Sequence, residues 1–428
     1  MRYIILLSLL LVSLSFGDVQ LIKKENNDSN ITLLVIGGIH GNEPGGYFAA
    51  SILASHYAIT SKNLWIVPNL NKDSIIADKR GINGDMNRKF HYIKPHDKDK
   101  EIVNEIKKII LAKKVSLILN LHDGHGFYRE KYQSSIFNPT AWGQTCVIDQ
   151  CKLNQNQPFG NLNEIAKTVR DKINAKTIEK HHKFNVKNTN TKFDDEDMQQ
   201  SLTYFAVTHN KPAFAIETSK SLSTVTQKVY YQLAAIEEYM NIMGIGFQRD
   251  FELNAKEINK LIHNYGILEV NGNISLNLNQ IKKSLSYIPL KSNGNSFSFS
   301  NLLGAIKFRR GVYEVYIGNK KITSLKPQYF KISKECPKNY AFVIDGKHFV
   351  LKGSSVFYVD DDFKVEDTKC CRTNIIGFHQ KGLKNEAGVL VSKDKLDKRY
   401  SVDKEAKQYR VEFYKDGDFC TMIIANFK

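Results

Sequence analysis

The segment GGIHGNEPGG carries an imidazole and a carboxylate, His40 and Glu43, separated by two residues, between an apolar run and a helical pattern. Both are ligands for a single divalent ion, and a third is needed to hold it. His122 can supply it, because it closes the apolar run VSLILNLH. Two histidines and a glutamate with an open fourth position form a hydrolytic zinc set. The HxxE spacing alone is frequent by chance, and a histidine at a strand end can serve as a simple hydrogen-bonding cap. His125 is a second candidate for the third ligand, although it lies beyond Gly124 in what reads as a loop.

The stretch NLNKDSIIADKRGINGDMNRKF adds Arg80, Asn87 and Arg88. Planar guanidinium and amide donors suit a carboxylate and a developing oxyanion. A single arginine in so basic a chain is usually a solvated surface group, but an Asn-Arg pair behind Asp85 and downstream of HxxE is far less common by chance. In KPAFAIET, Glu217 ends another apolar run, where a carboxylate near a metal can move a proton. Without the metal set, a capping role would explain it equally well.

The elements that must position these groups are short apolar runs alternating with helical patterns from residue 31 to about 246. ITLLVIGG, NLWIVPN, VSLILNLH and KPAFAIET read as buried strands, while GGYFAASILASHY, DKDKEIVNEIKKIILAKK and GNLNEIAKTVRDKI read as helices. Such alternation predicts an α/β fold with a mixed, mainly parallel sheet flanked by helices. A final helix carries Val225, Val229, Leu233, Ile236 and Met240 on one stripe and stops at Gly244. Beyond it the texture changes to strand-like alternation broken by Asn, Gly and Ser. The expected domains are a catalytic domain at 18–246, a small β-rich domain with one helix at 247–334 and a β-sandwich-like domain at 335–428.

Residues 1–17 combine Arg2, an apolar run over residues 3–12 and small residues at Ser13, Ser15 and Gly17, which reads as a cleaved secretory signal. The run is shorter than the ~20 residues of a membrane span. The chain is therefore expected in the periplasm, not spanning the membrane once the signal is removed. With 61 Lys and Arg against 44 Asp and Glu, the net charge of +17 is spread along the chain and favours anionic partners. Export argues against nucleic acid and toward a carboxylate-rich wall polymer. The compartment permits disulfides. Cys146 and Cys151 could staple a loop, and Cys336, Cys370, Cys371 and Cys420 could pair among themselves. Sequons occur at Asn27, Asn30 and Asn273.

In this order, HxxE, an upstream Arg, the Asn-Arg pair, a distant His and a late Glu resemble the M14 family of zinc carboxypeptidases over roughly residues 30–245. A signal followed by two trailing β domains is similar to the cell-shape-determining murein carboxypeptidases of helical bacteria, some of which carry Gln where this chain has His40. The resemblance implies one zinc ion on His40, Glu43 and His122. It further implies proton transfer by Glu217, oxyanion stabilisation by Arg80 and a grip on the terminal carboxylate by Asn87 and Arg88. Trp142 and Thr203 would contact the remote centre of diaminopimelate and Tyr204 would close the pocket with its phenol, though core or loop packing is the commoner role of such residues. The implied substrate is the muramyl tripeptide of the peptidoglycan stem, from which meso-diaminopimelate is removed. Two rival functions are an aspartoacylase or succinylglutamate desuccinylase-like amidohydrolase, which shares these motifs, and a non-catalytic wall-binding scaffold. The β-rich domains carry no readable motif and could recruit cell-wall protein partners.

Overall fold

The computed structural model describes residues 13–16, 19–26, 29–153, 157–367 and 370–428. The apolar run of the expected export signal and Asn27 lie outside the described residues. The chain divides into two compact units, Met1–His263 and Asn264–Lys428.

The first unit is built on an eight-stranded sheet. Its strands are β1 (Ser13–Phe16), β2 (Val19–Lys24), β3 (Thr32–Ile36), β4 (Asn63–Val67), β5 (Val115–Gly124), β6 (Thr145–Ile148), β7 (Asn185–Asn188) and β8 (Ala213–Ser219). They lie in the order β1-β2-β4-β3-β5-β8-β6-β7. The central strands β4, β3, β5 and β8 run parallel to one another, while β2 and β6 join them antiparallel. These four centre strands are the runs expected from the sequence. Leu33, Leu34, Val35, Ile36, Leu117, Ile118, Phe214 and Ile216 are all fully buried, as apolar strands covered on both faces must be. The wings were not legible in the same way. β7 reads NVKN and is only half-buried throughout, so no apolar pattern marks it.

The helices of seven residues or more in the unit are α1 (Pro44–His56), α2 (Lys100–Leu111), α3 (Leu162–Asn174), α4 (Leu202–Thr208), α5 (Val225–Met243) and α6 (Ala255–Ile262). On α2 the buried residues Val103, Ile106, Ile109 and Ile110 fall on one face at helical spacing. α5 ends at Gly244, whose φ of +67° is a left-handed conformation that costs glycine nothing. The helix expected at the start of the second domain is α6, and it belongs to the first unit. It buries Ile258 and Ile262 and packs on α5, so the division falls at 263 and not at 246.

The second unit is entirely β in its named strands, apart from short 3-10 turns. Two four-stranded sheets formed by residues 339–427 share a core of Tyr340, Phe342, Phe357, Phe363, Phe413, Ile423 and Phe427, which is a sandwich. The expected small β domain and this sandwich cluster as one compact unit. The bonds from Met422 N and Thr421 Oγ1 to Asn273 O, at 3.0 and 2.9 Å, tie them together, while the Cys336–Cys420 disulfide closes within residues 335–428. Asn273 is buried with its amide on Cys420 O, so that sequon is closed to a glycan.

The loop staple considered for Cys146 and Cys151 does not form. Cys146 is fully buried in β6, where burial pushes its thiol up to about 12, and Cys151 is exposed beyond the strand.

Candidate metal centre

Parallel register brings the chemistry to one end of the sheet. Beyond β3 the chain turns through Gly37–Gly41 into α1. A Cβ on Gly41 would lie 2.0 Å from Ser74 O, so this turn admits only glycine. Pro44 opens α1, where its fixed φ suits the first turn. The helix start then sits hard against β5: a Cβ on Gly45 would fall 2.3 Å from Asp123 Oδ1, and Gly45 N donates to Asp123 Oδ2 at 2.9 Å. The HxxE turn is thereby clamped beside His122.

His40 Nδ1 lies 3.0 Å from Glu43 Oε2, His122 Nδ1 lies 2.9 Å from the same oxygen, and the two Nδ1 atoms are 3.2 Å apart. All three residues are 3% exposed or less. The opposite nitrogen of His40, Nε2, is 2.8 Å from Asp85 Oδ1. With its proton on Nε2, donated to that carboxylate, His40 turns a lone pair on Nδ1 toward Glu43 and His122. Three donor atoms thus converge from two imidazoles and a carboxylate, the chemistry of a divalent-metal site. His125 is not part of this cluster; its carbonyl accepts from Trp142 N and Gly143 N. Glu179, His181 and His182 form another close group, but two of them are exposed and His182 Nδ1 is engaged with Tyr231 Oη at 2.9 Å.

The electrostatics follow from burying so many charges together. Burial pushes the His40 imidazole down, yet the Glu43 and Asp85 carboxylates outweigh it and hold His40 at about 9. Burial works to raise Glu43, but its two histidines keep it well below the usual carboxylate range. His122 is pushed down by burial. Asp123, behind the cluster, is raised by burial to about 6, although Lys228, Thr218 and the Gly45 N–H all favour its anion.

Glu217 is the direct parallel-strand partner of His122, so both side chains leave the same face one strand spacing apart. Burial, and then the Glu43 carboxylate, push Glu217 up to about 8. Both line a cleft of about 250 Å³ that also takes in His40, Glu43, Arg80, Asn87, Arg88, Trp142 and Thr203. Arg80 bridges Asp85 Oδ2 at 2.8 Å and Glu43 Oε1 at 3.2 Å. Asn87 Oδ1 accepts from Leu202 N at 2.9 Å, which leaves its amide donors for the cleft. Arg88 is held by Asp197 at 2.6 Å and Met198 Sδ at 3.3 Å. Tyr204, beside Thr203 on α4, is not among the lining residues.

Several participants escaped the sequence reading. Lys220 reaches Glu43 Oε1 at 3.3 Å from just past β8. Lys187 of β7 lies 4.3 Å above the Trp142 ring and donates to Ala141 O at 3.0 Å, fixing the loop that carries Trp142. Asp123, adjoining His122 in the motif HDGH, was visible as a signal; the two lysines had none among so many.

A family profile described as the catalytic part of the carboxypeptidase controlling helical cell shape matches residues 1–263. A second, the C-terminal domain of metallo-carboxypeptidase, matches residues 333–428. Solved structures of Cell Shape Determinant protein Csd4 from Helicobacter pylori, apo and tripeptide-bound, are 33% identical to this chain. Each match covers 96% of this chain and 100% of the other, with a TM-score of 0.90. The mDAP-bound form of the same protein, described as a D,L-carboxypeptidase, is 32% identical, covers 95% of this chain and 100% of its own, and also gives 0.90. The chain matches none of the curated proteins.

Proposed function

Because this chain belongs to the family of carboxypeptidases that control helical cell shape, we propose that it is a zinc enzyme of the periplasm that removes meso-diaminopimelate from the muramyl tripeptide of peptidoglycan. The observation that carries the reading is one cleft in which Glu217 adjoins His122 across the strand pair and which Arg80, Asn87 and Arg88 also line.

His40, Glu43 and His122 would hold the ion, with Asp85 fixing the His40 tautomer. Bound there, zinc supplies Lewis-acid polarisation of a carbonyl and a water of lowered pKa. Glu217 takes the water proton on its carboxylate and returns it to the leaving amine, a task suited to a carboxyl whose basicity burial raises. Arg80 offers guanidinium donors where charge develops on the carbonyl oxygen. Asn87 and Arg88 grip the terminal carboxylate, which restricts cleavage to the last residue. Trp142 and Thr203 remain in the cleft to meet the far end of the departing amino acid.

Mass spectrometry of purified muropeptides incubated with the zinc-loaded chain tests this. The expected product is the dipeptide with free diaminopimelate. Turnover of N-acyl amino acids alone would favour an aspartoacylase or desuccinylase activity instead. Wall binding without any turnover would indicate a scaffold.

A further inference from the structure

The second unit contains a cavity of about 240 Å³ whose walls include Tyr287, Tyr400, Ser284, Ser286, Arg399 and Arg410. We propose that it is a glycan-binding subsite that takes an uncharged hexopyranose of the wall polysaccharide. The choice of wall glycan rests on the proposed wall-peptide substrate; the choice of a sugar rests on the cavity.

Tyr287 is 62% exposed and sits at φ +58°, a left-handed conformation unfavourable for an aromatic residue. It occupies the point where the strand Leu285–Leu290 slips register against its partner between Leu285 and Ile288. Beneath it Arg410, only 4% exposed, donates through Nη1 to Tyr287 O at 3.1 Å and through Nη2 to Ser286 O at 3.2 Å. A buried guanidinium is thus used to hold an outward-facing ring on strained backbone, an arrangement that adds no apolar burial and gathers at ligand sites. Tyr400, also exposed at 44%, lines the same cavity, and the next residue, Ser401, is buried with its hydroxyl on Lys398 O and Asp403 O.

The exposed Tyr287 ring, and the Tyr400 ring beside the Arg399 guanidinium that lies 6.0 Å from its centroid, offer surface for the C–H side of a pyranose, and the Ser284 and Ser286 hydroxyls can exchange hydrogen bonds with its rim. The charges select against a polyanion. Arg410 faces Glu412 at 3.3 Å, and Arg399 Nε is bonded to Asp397 at 2.8 Å, so both cations are already balanced.

The test uses the full chain and two uncharged probes: insoluble chitin and a soluble N-acetylglucosamine tetramer. The wild-type chain should co-sediment with chitin and bind the tetramer by calorimetry. The Tyr287→Ala, Tyr400→Ala double variant should bind both roughly tenfold or more weakly, with an unchanged thermal midpoint. A wild-type chain that ignores both probes, or a double variant that binds as tightly, overturns the subsite. Neither probe carries a scissile peptide, so the result is separate from hydrolysis of soluble tripeptide, on which the carboxypeptidase reading stands or falls.

Discussion

Past Ile36, Leu121 and Ile216 the sheet of the first unit stops burying hydrocarbon and buries charge: His40, Glu43, His122 and Asp123 are each 3% exposed or less. The sandwich of the second unit fills its interior mainly with rings such as Phe342, Phe363, Phe413 and Phe427, at 2% or less, and its buried Arg410 and Glu412 are paired at 3.3 Å. An apolar interior stabilises its own unit, whereas buried ionisable groups cost stability unless they are paired or hold an ion. The first unit tolerates them because its turn is fixed by contacts that leave no room for a side chain at Gly41 or Gly45. Its strand ends are shaped for chemistry and the sandwich for cohesion.

The sharpest way to break that contrast is Glu217→Gln. Turnover should fall by roughly 10²–10⁴, the usual worth of a general acid–base, while the bound zinc measured by atomic absorption stays near one per chain. Hydrolysis persisting at the original rate would remove Glu217 from the mechanism. Phe413→Ala should cost about 3–5 kcal/mol in denaturant unfolding of the second unit, with hydrolysis of a soluble tripeptide unchanged. A parallel loss of turnover would show that cohesion and chemistry are not divided as described.

Smaller effects sharpen the account of the cluster. Asp85→Asn takes away the carboxylate that holds His40 Nε2, and metal affinity measured by chelator competition should drop about 10–100-fold. Unchanged affinity would mean that Glu43 and His122 orient His40 unaided. Finally, the His40 proton must leave before the nitrogen can ligate. With His40 held at about 9, apparent metal affinity should weaken by about tenfold for each pH unit below that value. In Asp85→Asn the His40 pKa falls, so the same weakening should begin at lower pH.

Much of the centre was legible because its residues close apolar runs. His122 and Glu217 each follow several fully buried positions, which marks a strand end from the sequence alone. HxxE between a strand and a helix needs no long-range knowledge to be suspected of metal binding. Lys220, Lys187 and Asp197 carry no such mark, since a charged residue in a chain with 25% charged residues gains its meaning only from what folds against it. The polar strand β7 escaped for a related reason: its place in the sheet depends on pairing with β6 and not on an apolar pattern of its own.

The amino-acid sequence by itself determined the donor types, the α/β alternation that brings strand ends together and the change of texture near residue 246. Only the tertiary structure put His122, and not His125, in the close group with His40 and Glu43, because parallel register pairs His122 with Glu217 and leaves His125 in the following loop. It also moved the division between the units to 263, since α6 finds its apolar partner on α5. Both decisions rest on pairings between residues far apart in the chain, which local spacing cannot express.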